Sequence, residues 1–182
     1  MTGANKGELK SEFRNANLIC DFIDNDPIFS QFFKGEKQVI RTGIIGGVPF
    51  KGKFDNYDKG IAINDLKVLK TVTDSNGEYY DFISQWGYHY QMAIYQELEY
   101  QHSGVKLPMY ICVVTKETPM NSLIVNIPQD ILDTALYEVE TSVKRYYDIY
   151  TGKEEPIKCG KCDSCIASRT ETKIISMREI MR

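Results

Sequence analysis

The chain has 182 residues, 42% hydrophobic and 26% charged, which is enough for one domain with a sizeable core and too little for two. These proportions exclude a disordered chain. The formal net charge of −3 excludes a general attraction to polyanions, so nucleic-acid binding would need a local basic patch or a bound cation. No apolar stretch approaches the roughly 20 residues that span a bilayer, and Met1-Thr2-Gly3-Ala4-Asn5-Lys6 is not a secretory hydrophobic segment. No membrane association and a cytoplasmic location are expected.

Leu9, Phe13, Leu18 and Ile19 give Glu8 to Ile23 a helical spacing, which the polar Asp24-Asn25-Asp26-Pro27 run ends. Ile28 to Phe33 predicts one or two further helical turns. Three strands follow, Gln38 to Ile45, Val48 to Tyr57 and Ile61 to Val68, separated by Gly46-Gly47 and Asp58-Lys59-Gly60. Such short turns are hairpin signals and predict an antiparallel meander. Asp81 to His102 reads as one long amphipathic helix with Ile83, Trp86, Tyr90, Ala93, Ile94 and Leu98 on its apolar face and Gly104 beyond its end. Trp86 is assigned to the core. Met109 to Thr115 and Leu123 to Ile127 are apolar, β-branched runs that predict a strand pair, and Pro128 opens a helix to about Tyr150. Thr170 to Arg182 suits a short strand or helix. The order predicts an α/β sheet with packed helices.

Cys20 and Cys112 stand alone, whereas Cys159, Cys162 and Cys165 fall in one CxxCxxC run. In a reducing compartment such a run points to a metal or cluster site more than to disulfides. Cys112 lies in an apolar strand and is expected in the core.

Phosphodiester hydrolysis needs a hard cation held by oxygen ligands, with two convergent carboxylates as the minimum and a lysine to place the water or offset charge. Asp65-Leu66-Lys67 offers that chemistry, but the pattern recurs at Glu8-Leu9-Lys10 and Glu171-Thr172-Lys173. Placement separates the three. Asp65 and Lys67 share a face of a predicted strand, and its hairpin partner brings Asp55 roughly opposite Ile63, so Asp55, Asp65 and Lys67 project together. The residues alone equally suit solvated carboxylates near a hairpin, with Lys67 as a surface charge blunting an edge strand.

Three segments resemble the consecutive core motifs of the PD-(D/E)xK nucleases, and most closely those of the phage-type exonuclease VIII group: Gly47 to Asp55, Ile63 to Lys67 and Trp86 to Gln96. Within them, Gly52-x-x-Asp55 matches GxxD, Asp65-x-Lys67 matches (D/E)xK and Gln91-x-x-x-Tyr95 matches QxxxY; the similarity continues through Gln129 to Arg145 and into Lys158 to Cys165. Phe54 stands where the family name has proline.

The resemblance implies a restriction-endonuclease-like core, with a central mixed sheet. It implies Mg²⁺ or Mn²⁺ held by Asp55, Asp65 and the main-chain carbonyl of Leu66, with Lys67 at the water and Gln91 and Tyr95 facing the DNA backbone or orienting the lysine. The i,i+4 spacing of those two permits a shared face. The implied activity is exonucleolytic hydrolysis of linear duplex DNA in phage or prophage recombination, with DNA and a single-strand annealing protein as partners and a homo-oligomer as the working form. A second reading is a DNA-binding or assembly module that keeps the fold and turns over poorly, since the chain looks shortened at the family's upstream helical segment. A site-specific endonuclease is a third.

Residues 1–158 are read as the nuclease core and residues 159–182 as a cysteine-containing C-terminal segment. Zinc or an iron–sulfur cluster generally takes four protein ligands, so Cys159, Cys162 and Cys165 require a fourth. Related helicase-nucleases and CRISPR-associated nucleases supply it from an upstream cysteine, which is expected here in the family's absent upstream segment unless Cys20 replaces it.

Overall fold

Two short turns set the centre of the fold. Gly46 and Gly47 both take positive φ (55° and 75°), the backbone that a tight two-residue hairpin demands and that glycine adopts without a Cβ clash. They join β1 (Glu36–Ile45) to β2 (Val48–Asp58), paired antiparallel from Ile45–Val48 to Glu36–Tyr57. The computed structural model describes residues 11–169, 171–172 and 174–181. Glu8-Leu9-Lys10, where the first helix was expected to begin, lies outside the described residues.

The second hairpin closes one residue later than expected. Its turn is Lys59-Gly60-Ile61, secured by Ile61 N–H donating to the Asp58 carbonyl at 2.9 Å. β3 (Ala62–Leu69) therefore pairs with β2 through Asp58–Ala62, Tyr57–Ile63 and Asn56–Asn64. Tyr57, rather than Asp55, is opposite Ile63. Ile61 belongs to the turn and is exposed.

β4 (Met109–Thr115) runs parallel to β3, and β5 (Ser122–Ile127) returns antiparallel, giving one mixed sheet of order β1-β2-β3-β4-β5. β3 is therefore an internal strand, and the surface-charge reading of Lys67 on a sheet edge is excluded. The strands' alternation feeds two cores. Phe54, Ile63, Ile111 and Val113 pack under Met92, Ala93, Leu132 and Ala135, while Cys112 and Val114 pack with Ile23 and Phe29. Cys112 is thus in the core, as its apolar strand predicts.

The latter core is covered by α1 (Ser11–Asn25) and a short 3₁₀ turn (Phe29–Phe33). The former is covered by α3 (Tyr88–Ser103) and α4 (Gln129–Tyr150). The single helix expected over Asp81 to His102 is in fact two. Asp81 caps α2 (Phe82–Gln85) by accepting from Ser84 N–H at 2.9 Å, and Gly87 at φ 66° breaks the run before α3. The break takes Trp86 out of phase with Tyr90 and Ala93. Trp86 is 63% exposed and is not a core residue.

The chain divides into two compact units at Lys144–Arg145. The second holds the last turns of α4, α5 (Asp163–Ala167) and α6 (Met177–Ile180). Among the described residues no helix is long and apolar enough to cross a membrane.

Candidate active site

The β2–β3 ladder stops at Asn56–Asn64, and just past that point a carboxylate stands in for the missing main-chain partner. Asp55 Oδ2 accepts from Leu66 N–H at 3.1 Å, and its Oδ1 accepts from the side chain of Gln38 at 3.0 Å. Gln38 sits at φ 59°, a left-handed backbone that is uncommon and costly for a residue with a side chain. Nothing in the sequence marks Gln38: neither glycine nor asparagine announces the positive φ. Leu66 N–H and C=O leave the strand on the same side, so the carbonyl also faces this opening.

Asp65 and Lys67 project to the α3 side of the sheet, as two-residue spacing dictates. Asp65 is 2% exposed. Its Oδ2 is 2.7 Å from Lys67 Nζ without a well-aligned hydrogen bond. Gln91 Nε2 donates to Asp65 Oδ1 at 2.9 Å and to the Tyr95 hydroxyl at 3.0 Å, and Gln91 Oε1 accepts from Lys67 Nζ at 2.8 Å. The Tyr88 ring lies 4.6 Å from that ammonium, a cation–π contact that sequence reading missed. All five expected side chains, Asp55, Asp65, Lys67, Gln91 and Tyr95, thus gather at one place, joined by Gln38 and Tyr88.

Burial is the main force on Asp65 and Tyr95. It pushes the Asp65 carboxyl above its usual value; Lys67 and Gln91 oppose the shift, and the charge on Asp55 adds to it. The Tyr95 phenol is also raised, first by burial, with Gln91 opposing and both carboxylates adding. A buried carboxylate under such pressure is stabilised by a cation. The donor set fits a hard divalent ion: Asp55, the poorly satisfied Asp65 Oδ2 and an outward strand carbonyl are all oxygen.

Gly52 explains how α3 comes close enough. A Cβ there would stand 3.0 Å from both Leu98 Cδ1 and Tyr95 Cδ1, so the bare backbone lets Tyr95 reach Gln91 while its ring packs 4.9 Å from Phe54. Gly52→Val is expected to destabilise the protein by about 1–3 kcal/mol through overpacking and to displace Tyr95 from Gln91, which thermal melting measures.

The predicted cysteines are in the other unit. Cys159, Cys162 and Cys165 have their sulfurs within 4.8 Å of one another. Cys20, in the first unit, is exposed and unbridged.

Residues 1–168 match the family of the PDDEXK-like domain of unknown function (DUF3799). A crystal structure from Eubacterium rectale, solved under the name "Putative exonuclease", aligns with TM-score 0.83 and 39% identity over 97% of this chain and 68% of that one. The five-stranded mixed sheet and its helices therefore have a close counterpart, consistent with a restriction-endonuclease-like core. The structure of SSO0001 aligns over 85% of this chain and 68% of that one at 16% identity and TM-score 0.38. No curated protein matches the chain.

Proposed function

Since the chain belongs to the PDDEXK-like domain family (DUF3799), we propose that it is a divalent-metal-dependent exonuclease acting on linear duplex DNA. The observation that carries this reading is the buried Asp65 joined to Lys67 and Gln91, with Asp55 at the neighbouring strand opening. Lys51 and Lys53 are exposed on the strand leading to Asp55. We take residues 1–158 as the nuclease core and residues 159–182 as a cysteine-containing C-terminal segment, a division by sequence that falls later than the boundary of the compact units at Lys144–Arg145. Phage or prophage recombination, with a single-strand annealing protein taking up the product strand and a homo-oligomer enclosing the duplex, accords with this activity.

An Mg²⁺ or Mn²⁺ ion held by Asp55, Asp65 and the Leu66 carbonyl would neutralise phosphate charge and acidify the attacking water. Lys67 stands beside that position, where its Nζ would orient the water and offset charge built up in the transition state. Gln91 holds both the carboxylate and the ammonium, and Tyr95 holds Gln91. Gln91→Ala is therefore expected to lower metal affinity or kcat by about 10–100-fold, the usual scale for a residue that orients a ligand, with KM for DNA little changed. Steady-state kinetics across a Mg²⁺ titration measures it.

End-labelled linear duplex and closed circular DNA, each with Mg²⁺ or chelator and beside Asp65→Ala, test the function. Shortening of linear DNA alone, abolished by chelation and by the substitution, is the expected result. Cut circles would replace the exonuclease with an endonuclease. No cleavage with Mg²⁺ or Mn²⁺ would leave a DNA-binding module that retains the fold.

A further inference from the structure

A run of rings, Trp86, Tyr88, His89 and Tyr90, leads into α3. The last three are engaged. The Tyr88 ring lies 4.6 Å from Lys67 Nζ, the His89 and Tyr90 rings stand 4.1 Å apart, and the Tyr90 hydroxyl donates to Glu138. Among the described residues Trp86 has no such partner: its ring pairs with no other aromatic side chain and no cation, and it is the exposed member of the run.

A single exposed aromatic is common on protein surfaces, but this one is held in place and close to the site. Trp86 N–H donates to the Phe82 carbonyl at 3.2 Å and Gly87 N–H to the Ser84 carbonyl at 3.1 Å, which anchors the tryptophan to α2 and to the buried Phe82. Gly87, at φ 66°, then passes the chain straight to Tyr88. Two peptide units separate Trp86 from Tyr88, so their Cα atoms are at most about 7.6 Å apart, and Tyr88 is against Lys67. The surroundings suit a polyanion: no Asp or Glu occurs from Phe82 to Gln96, so this stretch of an acidic chain offers no carboxylate to repel phosphate. Ser84 and Gln85 beside the ring are polar and exposed. One indole in a polar rim has the area of one base, far below the roughly 800 Å² per partner of a stable protein interface. A base inside a closed duplex has both faces stacked on its neighbours, whereas an unpaired base has a face to offer.

We propose that Trp86 is a stacking platform for an unpaired nucleobase of the DNA strand that enters the Asp55, Asp65 and Lys67 site, so that the chain engages a frayed strand end. The path of that strand rests on the nuclease reading; the contact itself is measured without cleavage.

Trp86 is the only tryptophan of the chain, so its fluorescence reports the contact directly. The full chain is titrated in chelator, which prevents metal-dependent cutting, with single-stranded oligothymidylate of about 12 nucleotides; anisotropy of an end-labelled copy measures binding independently. Expected are saturable quenching that follows the anisotropy, binding weaker by about 5- to 150-fold in Trp86→Ala, and near-parent binding in Trp86→Phe. Tyr100→Ala, at the other end of α3 and about 18 Å from Tyr88, should bind like the parent, and closed circular duplex should not quench. A parent-like Tm shows that Trp86→Ala is folded. With Mg²⁺, Trp86→Ala should raise KM for linear duplex and keep kcat. Binding without quenching, parent-like affinity in Trp86→Ala, quenching by closed circles equal to that by the oligonucleotide, or no binding would each overturn the proposal. Quenching by a chain that never cleaves DNA would remove the nuclease reading and keep the contact, and parent-like cleavage kinetics in Trp86→Ala would do the reverse.

Discussion

Asp65→Asn is expected to reduce metal-dependent DNA cleavage on the order of a thousandfold, the scale of deleting a preorganised electrostatic group, without destabilising the metal-free fold at neutral pH. The first half follows from the site: an amide cannot supply the negative oxygen that a divalent ion requires. The second follows from burial, which holds the Asp65 carboxyl above its usual value despite Lys67 and Gln91. A carboxyl raised on folding contributes stability that is complete below its unfolded pKa and is lost as pH rises through the folded pKa. In chelator, the parent should therefore lose stability relative to Asp65→Asn between acid and neutral pH, and the two should converge in acid. Lys67 keeps Gln91 Oε1 and the Tyr88 ring in the variant, so no buried cation is stranded. Urea unfolding at several pH values measures the difference. Added Mg²⁺ or Mn²⁺ should then raise the Tm of the parent alone. Parent-like cleavage by Asp65→Asn would remove Asp65 from the site.

Arg41→Ala carries the largest expected loss of stability, about 3 kcal/mol or more. Glu99 on α3 is fully buried. Its Oε2 accepts from Arg41 Nε on β1 at 2.8 Å and its Oε1 from the Tyr57 hydroxyl on β2 at 2.7 Å, while the guanidinium lies 5.0 Å from the Tyr57 ring. Removing Arg41 leaves Glu99 without its countercharge, and breaking a buried pair from one side costs about 3–5 kcal/mol. Arg41 is 17% accessible at its side chain, which places the loss at the lower end. In calorimetry this corresponds to a drop in Tm of about 10 °C for a chain of this size. The double variant Arg41→Met, Glu99→Leu should recover most of it, because apolar replacement of both partners is often neutral. Equal losses in the single and double variants would show that packing, rather than the stranded charge, sets the cost. The network matters for the site because it ties α3, which carries Gln91 and Tyr95, to the strands.

The GxxD, (D/E)xK and QxxxY spacings were legible because each spans only a few residues on one element, where strand and helix periodicities fix which side chains share a face. Their convergence was also within reach, since the Asp58–Ile61 region has turn chemistry of its own. The hairpin register was missed by a shift that kept side-chain parity. Trp86 was misassigned because helical periodicity was carried across Gly87, whose left-handed backbone resets the phase.

What the sequence by itself determined is the local grammar: the meander, the β4–β5 strand pair, the buried Cys112, the carboxylate–lysine spacing and the CxxCxxC run. Tertiary structure alone decided the rest. Gln38 reaches Asp55 across 17 positions, Gln91 reaches Asp65 across 26, and Arg41 meets Glu99 across 58. No local preference encodes such meetings, because they arise only when the strands pair and α3 settles over Gly52. The internal position of β3 belongs to the same class: its pairing with β4 buries Asp65, and that burial sets the electrostatics that a divalent cation would satisfy.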